Sequence, residues 1–147
     1  MIKIYYPPHP FKIREPERKK EEIWDDLRKL WVRLTPEEWV RQNFIQYLLQ
    51  VKHYPASYMA VERKMKLGEL DKRFDLLIFD KSAQPWMLVE CKSTEEKLDD
   101  RVAWQVRRYN MAIPIKYIVI TNGTSCHAFV KGLLDFEEIP VLPAYSE

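Results

Sequence analysis

The sequence predicts an α/β fold: a central mixed β-sheet flanked by helices, in the order αβββαβ. Three observations carry this. Residues 73–93 hold two apolar runs, Leu76-Leu77-Ile78-Phe79 and Trp86-Met87-Leu88-Val89, on either side of the polar Asp80-Lys81-Ser82-Ala83-Gln84-Pro85. Such a pair of short runs around a Pro-marked break reads as a β-hairpin. Two stretches of helical periodicity bracket this region, near 35–51 and 94–111. Finally, Tyr117-Ile118-Val119-Ile120 is short and wholly apolar, as a strand at the centre of a mixed sheet should be.

Taken in order, residues 1–16 open with the alternating Ile2-Lys3-Ile4-Tyr5 and are then interrupted by Pro7, Pro8 and Pro10, which suits an arm or edge strand. The charge run 17–22 reads as a solvated helix start. Ile23, Trp24, Leu27, Leu30, Trp31 and Leu34 recur at three- and four-residue steps, so an amphipathic helical segment is expected there. Thr35-Pro36-Glu37-Glu38 is a strong helix start, with Thr35 as N-cap, Pro36 in the first turn and Glu38 at the capping-box position. The apolar stripe Trp39, Val40, Phe44, Ile45, Leu48, Leu49 and Val51 continues to His53-Tyr54-Pro55, with Arg41, Gln42 and Gln46 off the stripe. His53 suits a loop or cap.

Residues 58–67 alternate, and Gly68-Glu69-Leu70-Asp71 turns the chain, giving a meander of about 58–67, 73–79 and 85–91. Thr94 to Met111 forms the second helix, capped by Ser93 or Thr94, with Leu98, Val102 and Val106 on one line. Asn122-Gly123 makes a turn, 125–130 adds a strand, and a tail with Pro140 and Pro143 wraps the surface. The expected organisation is a single domain over 1–147, with an N-terminal arm and helix (1–34), a core (35–130) and a tail (131–147).

At 147 residues the chain can bury a real core. Its formal net charge is only +2, so nucleic-acid contact must come from a local patch. Cys91 and Cys126 lie in apolar strands and read as reduced core thiols, without zinc-ligand spacing. No signal-peptide core or membrane-length apolar run occurs, and a reducing cytoplasm fits. His127 reads as a structural strand histidine.

The chemistry-bearing residues fall at strand ends. If 90–92 is extended, Glu90 and Lys92 share one face and Cys91 takes the other. In the hairpin, Asp75 lies near them. Two hard carboxylates suit Mg²⁺, which keeps waters and takes substrate phosphate oxygens, and a lysine alongside can hold or deprotonate the attacking water. A D…ExK spacing also arises by accident, in which case the same residues are a solvated strand end with Lys92 paired to an acid. Glu38 reads first as a cap. Gln105 and Tyr109, four apart, share one helical face. Arg63, Lys64, Lys66, Lys72 and Arg73 cluster around the first turn of the meander, and Arg101, Arg107 and Arg108 add charge on the second helix. They suit phosphate or a solvated surface.

The order helix, three strands, helix, strand, with acids on the second and third strands, resembles the PD-(D/E)XK restriction endonuclease-like core. It is most similar to the N-terminal nuclease domain of type I restriction enzyme R (HsdR) subunits. The carriers run from about Leu34 to Val130: Leu34-Thr35-Pro36-Glu37-Glu38-Trp39-Val40-Arg41-Gln42, Lys72-Arg73-Phe74-Asp75, Leu88-Val89-Glu90-Cys91-Lys92, Gln105 with Tyr109-Asn110, and Thr121-Asn122-Gly123. The resemblance implies a metal-dependent DNA endonuclease. Asp75 and Glu90 would bind Mg²⁺ (Mn²⁺ able to substitute) with the Cys91 carbonyl, and Lys92 would orient the water. Glu38, or failing it Glu37, would be the helix acid, and Gln105 and Tyr109 a QxxxY pair. Two departures stand out: Phe74 replaces the usual proline, and no GxxxxGK[ST] phosphate loop occurs in these residues. DNA is the expected partner, with motor or specificity subunits acting in trans. The alternative is a non-catalytic DNA-binding or assembly module on the same fold.

Overall fold

The computed structural model describes residues 1–17, 20–67, 69–109 and 114–146. Of the positions singled out above, Arg18, Lys19, Gly68, Asn110 and Met111 lie outside them. The main sheet is mixed, in the order β1-β9-β8-β7-β6-β5, with β10 also paired to β9. Its strands are β1 (Ile2–Lys3), β5 (Met59–Leu67), β6 (Leu70–Phe79), β7 (Pro85–Cys91), β8 (Tyr117–Thr121), β9 (Ser125–Lys131) and β10 (Phe136–Ile139). All neighbours are antiparallel except β7 and β8, which run parallel with Glu90 opposite Ile120. Helix α1 (Pro36–Gln50) lies on one face and α2 (Arg101–Tyr109) on the other.

The meander forms where alternation predicts it. Met87, Val89 and Cys91 join the α1-side core with Leu76 and Ile78, while Leu77 and Leu88 join the α2-side core with Val102, Val106 and Tyr109. Burial on both faces explains why β7 and β8 read as unbroken apolar runs.

Helix α1 starts where its caps place it. The Thr35 hydroxyl accepts the Glu38 backbone N–H at 3.0 Å, and Pro36 opens the first turn. Only half of the capping box forms, because the Glu38 carboxylate turns to Arg28 and Gln42. The helix ends with His53 in the left-handed region (φ 58°), while the Tyr54 N–H donates to the Leu48 carbonyl at 2.9 Å. Val51 is the C-cap and His53 lies in the loop beyond it, one of the two places its position suggests.

The N-terminal third departs from expectation. Residues 23–34 are a β-hairpin, not a helix: β3 (Glu22–Asp25) pairs with β4 (Leu30–Arg33), and β2 (Ile13–Arg14) adds a third strand. The apolar spacing there fits either period. Asp25 decides it, since its Oδ1 accepts the backbone N–H groups of Leu27 (2.8 Å) and Arg28 (3.0 Å) and folds the chain into a tight turn. Trp24 and Trp31 then meet across the strands.

The N-terminal segment covers the side of α1 turned away from the main sheet. Phe11 packs on Trp39, and Gln50 bonds His9. Arg41, Gln42, Asn43 and Gln46, off the apolar stripe, are therefore buried rather than solvated.

Helix α2 also starts later than expected. Residues 94–100 are loop, and Asp99 rather than Ser93 or Thr94 accepts the first N–H, that of Arg101 at 3.0 Å. Leu98 thus precedes the helix. The tail contributes β10 before Leu142 enters the core and the Tyr145 hydroxyl donates to the Phe79 carbonyl. The Asn122-Gly123 turn forms as predicted, with Gly123 at φ 95°. His127 is structural in the sense expected, contacting Glu138 on β10. Both cysteines are free and buried. Among the described residues, no helix is long and apolar enough to cross a membrane.

Candidate active site

The three residues at the end of the central hairpin do come together. Strand β6 changes phase at Asp75: Phe74 lies in the α2-side core, yet Leu76, two residues on, lies in the α1-side core. Opposite, Glu62 adopts φ 53°, and no Glu62–Asp75 pair forms in a ladder that runs regularly on either side. A left-handed non-glycine residue at such a point marks an irregular strand. The Asp75 carboxylate crosses to β7 instead, where its Oδ2 accepts the Cys91 backbone N–H at 2.8 Å.

The Glu90 side chain points toward α2 and is buried, 8% exposed. It hydrogen-bonds the Asp75 carboxyl group. Burial first, then the proximity of Asp75, pushes Glu90 up from 4.5 to about 8, against the pull of Lys72 and Lys92. Glu90 thus keeps its proton to a higher pH than an ordinary carboxyl group does. The Tyr109 hydroxyl lies 3.4 Å from Glu90 Oε1, and Gln105 Nε2 lies 3.4 Å from that hydroxyl. Burial, then the Glu90 charge, raises the Tyr109 phenol above its ordinary value, so it is a donor at neutral pH.

Lys92 directly follows β7, anchored by its backbone N–H to the Thr121 carbonyl at 2.8 Å. Its side chain lines a cleft of about 460 Å³ between the sheet and α2, together with Lys72, Gln105 and Arg108. Cys91 places its thiol in the opposite core, as alternation requires.

Two further side chains belong to the site: Lys72, which the sequence placed only among the cations of the first meander turn, and Arg41, which it did not assign. Lys72 contacts the Tyr109 hydroxyl, and its ammonium sits 4.2 Å from that ring centroid. Burial lowers the Lys72 pKa against the pull of Glu90, and Lys92 and Arg108 push the same way as burial. The alternation Lys72-Phe74 was the available signal, because Phe74 is core. Arg41 is the second. Its guanidinium reaches Asp75 Oδ1 (3.6 Å), Glu38 Oε2 (3.4 Å) and Glu62 Oε1 (3.2 Å).

Glu38 is buried behind Arg41, with Arg28 at 3.0 Å and Gln42 at 3.2 Å on its oxygens. Its charge is already matched, and a guanidinium separates it from Asp75. Glu37 is exposed. Of the six expected DNA-contacting residues, Arg101 and Arg108 line the cleft. Arg63, Lys64, Lys66 and Arg73 are exposed along β5 and β6, with Arg73 3.9 Å from Glu62.

Among the described residues, no group of three or more His, Cys, Asp or Glu side chains is arranged to hold a metal ion unaided. The donor chemistry at Asp75 and Glu90 nevertheless suits Mg²⁺. This ion commonly takes one or two carboxylates and fills its remaining positions with water and phosphate oxygens. A buried carboxyl group beside a second one is a fitting place for a cation.

Residues 36–143 match the family model of the type I restriction enzyme R protein N terminus. The chain belongs to this family. The R-protein match takes in α1, the meander, the cleft and β10, and so every site residue named above. The three-stranded sheet carrying Asp25 and Arg28 lies outside the matched R-protein span. No curated protein matches the chain.

Proposed function

We propose that this R-protein N-terminal domain is a metal-dependent deoxyribonuclease that hydrolyses phosphodiester bonds on a restriction endonuclease-like, PD-(D/E)XK core. The observation that carries the reading is the direct contact of Asp75 and Glu90 beside Lys92 and Lys72. The strand order supports it: an antiparallel β5-β6-β7 meander, then β8 parallel to β7, with a helix on each face.

Asp75 and Glu90 would hold the cation through their carboxylate oxygens, with the Cys91 carbonyl as a further oxygen. When bound, Mg²⁺, or Mn²⁺ in its place, supplies electrophilic polarisation of the phosphate and acidifies water. Glu90 would act there as a carboxylate. Lys92 orients the attacking water and offsets charge on the phosphate. Gln105 donates a hydrogen bond to a phosphate oxygen, the Tyr109 hydroxyl orients Glu90, and Lys72 keeps that hydroxyl in place. Glu38 acts through Arg41, holding the guanidinium that faces Asp75, and not as a cation ligand. The exposed Arg and Lys side chains contact the DNA backbone, so binding is largely sequence-blind and salt-sensitive. Motor and specificity functions come from other type I subunits in trans.

The test is cleavage of supercoiled, linear, branched and single-stranded DNA with Mg²⁺ or Mn²⁺. Asp75→Ala and Lys92→Ala should each abolish metal-dependent cleavage while circular dichroism stays unchanged. Full cleavage by Lys92→Ala would remove the assignment. DNA binding by the unaltered protein without cleavage of any form would instead identify a non-catalytic module.

A further inference from the structure

Helix α2 turns one face into the core and the other into the cleft. Val102, Val106 and Tyr109 are buried. Arg101, Trp104, Gln105 and Arg108, at positions i, i+3, i+4 and i+7, all line the cleft, as one stripe of a helix should. Trp104 is the exception in kind: a large aromatic, 66% exposed. The other exposed residues of α2 are Ala103 and the arginines 101, 107 and 108. An indole set among arginines is no apolar docking patch, which would need contiguous apolar area. Arg107 approaches its ring, 5.8 Å from the centroid.

The rest of the cleft tells what kind of group meets that ring. Five of its lining side chains are cationic and two are acidic. One of the acids, Asp99, is already engaged by Arg101 at 3.0 Å. Leu98, Val102 and Ile120 provide an apolar wall. Cations that track phosphate, combined with an exposed aromatic, are the means by which proteins hold single strands. A base inside a duplex hides both faces in the stack, and only an unpaired base can present one to a side chain. A cleft of about 460 Å³ is also the size of a small-ligand pocket, not of a double helix.

We propose that this cleft takes an unpaired nucleotide of DNA, its base stacked on Trp104 and its phosphates against Lys72, Lys92 and Arg108. The favoured substrate then carries single-stranded character beside the scissile bond, as a tail, flap or junction does. The proposal rests on the nuclease reading for what the neighbouring carboxyl pair does with that strand.

The experiment is a binding titration in EDTA, so that neither metal nor cleavage enters. A fluorescent twelve-nucleotide oligothymidylate and a blunt duplex of equal length are titrated with the unaltered protein, Trp104→Ala and Trp104→Phe. The oligothymidylate should bind more tightly than the duplex and quench tryptophan emission. Trp104→Ala should weaken single-strand binding by roughly 5- to 100-fold and leave duplex binding nearly unchanged. Trp104→Phe should keep most of the affinity but lose the quench. Equal affinity for the two DNA forms, or equal losses on both in Trp104→Ala, would overturn the proposal. So would tighter binding of the matching oligouridylate, which would reassign the strand to RNA. Protein that binds oligothymidylate through Trp104 yet cleaves nothing with Mg²⁺ would end the nuclease reading alone and support this one. Protein that cleaves duplex but does not prefer the single strand would do the reverse.

Discussion

Replacing Glu90 by glutamine should flatten the pH dependence of stability. In the folded protein, burial and then Asp75 raise this carboxyl from 4.5 to about 8. In the unfolded chain it titrates near 4.3. Between those limits the folded state keeps a proton that the unfolded state has released, so stability falls as pH rises across the window. Roughly 1.4 kcal/mol is lost per pH unit, or on the order of 4–5 kcal/mol in total as an upper bound. Glutamine cannot ionise, and its amide donates to Asp75 as the protonated carboxyl does. Urea denaturation at intervals from pH 5 to 9, without divalent metal, should show the unaltered protein losing several kcal/mol and Glu90→Gln losing less than half as much. Saturating Mg²⁺ should restore the unaltered protein at high pH, because a ligand bound only by the folded state stabilises it. It should do little at pH 5, where Glu90 keeps its proton. Parallel pH profiles for the two proteins would refute the raised Glu90 carboxyl.

Three further outcomes are expected. Gly123→Ala should destabilise by more than ~1 kcal/mol in urea denaturation, because φ 95° disfavours a side chain and the new Cβ would lie 2.9 Å from Tyr6 Oη and 3.1 Å from Val40 Cγ2. Asp25→Ala should cost about 2–4 kcal/mol, since it strips the turn of its acceptor and leaves Arg28 half-paired. Burial pushes Asp25 up, but the Arg28 N–H and guanidinium hold it below its ordinary value, so this contribution is present above about pH 4 and fades on acidification, as a pH series of both proteins will show. Glu38→Gln should lower stability while leaving Mn²⁺ affinity, read by calorimetry, close to that of the unaltered protein. A large loss of Mn²⁺ affinity would return Glu38 to the cation.

The parts of the fold that were legible in the sequence are those with one strong local cause. Thr35 and Pro36 start α1 through a single hydroxyl and a missing N–H, and both effects act within one turn. The meander follows from alternation, and β8 from its unbroken apolar run. The first hairpin was not legible, because Ile23, Trp24, Leu27, Leu30, Trp31 and Leu34 satisfy two periods at once. A side chain-to-backbone turn at Asp25 settles the matter. The start of α2 failed for a related reason: Ser93, Thr94 and Asp99 can all cap, and chain geometry selects the last. At the site, Asp75, Glu90 and Lys92 follow from strand register. Arg41 and Lys72 do not. Arg41 is drawn to three acids on separate elements, and Lys72 meets a hydroxyl on a distant helix, so neither contact has a local cause.

The parallel pairing of β7 with β8 sets an order of assembly. The β5-β6-β7 meander closes through short local turns, so Asp75 and Glu90 can meet early. Joining β8 to β7 requires residues 92–116 to loop back first, and such closure costs chain entropy before any contact repays it. The carboxyl pair thus rests on local strand pairing, whereas the Tyr109 hydroxyl and the indole on the same helix sit within the long segment that joins β7 to β8.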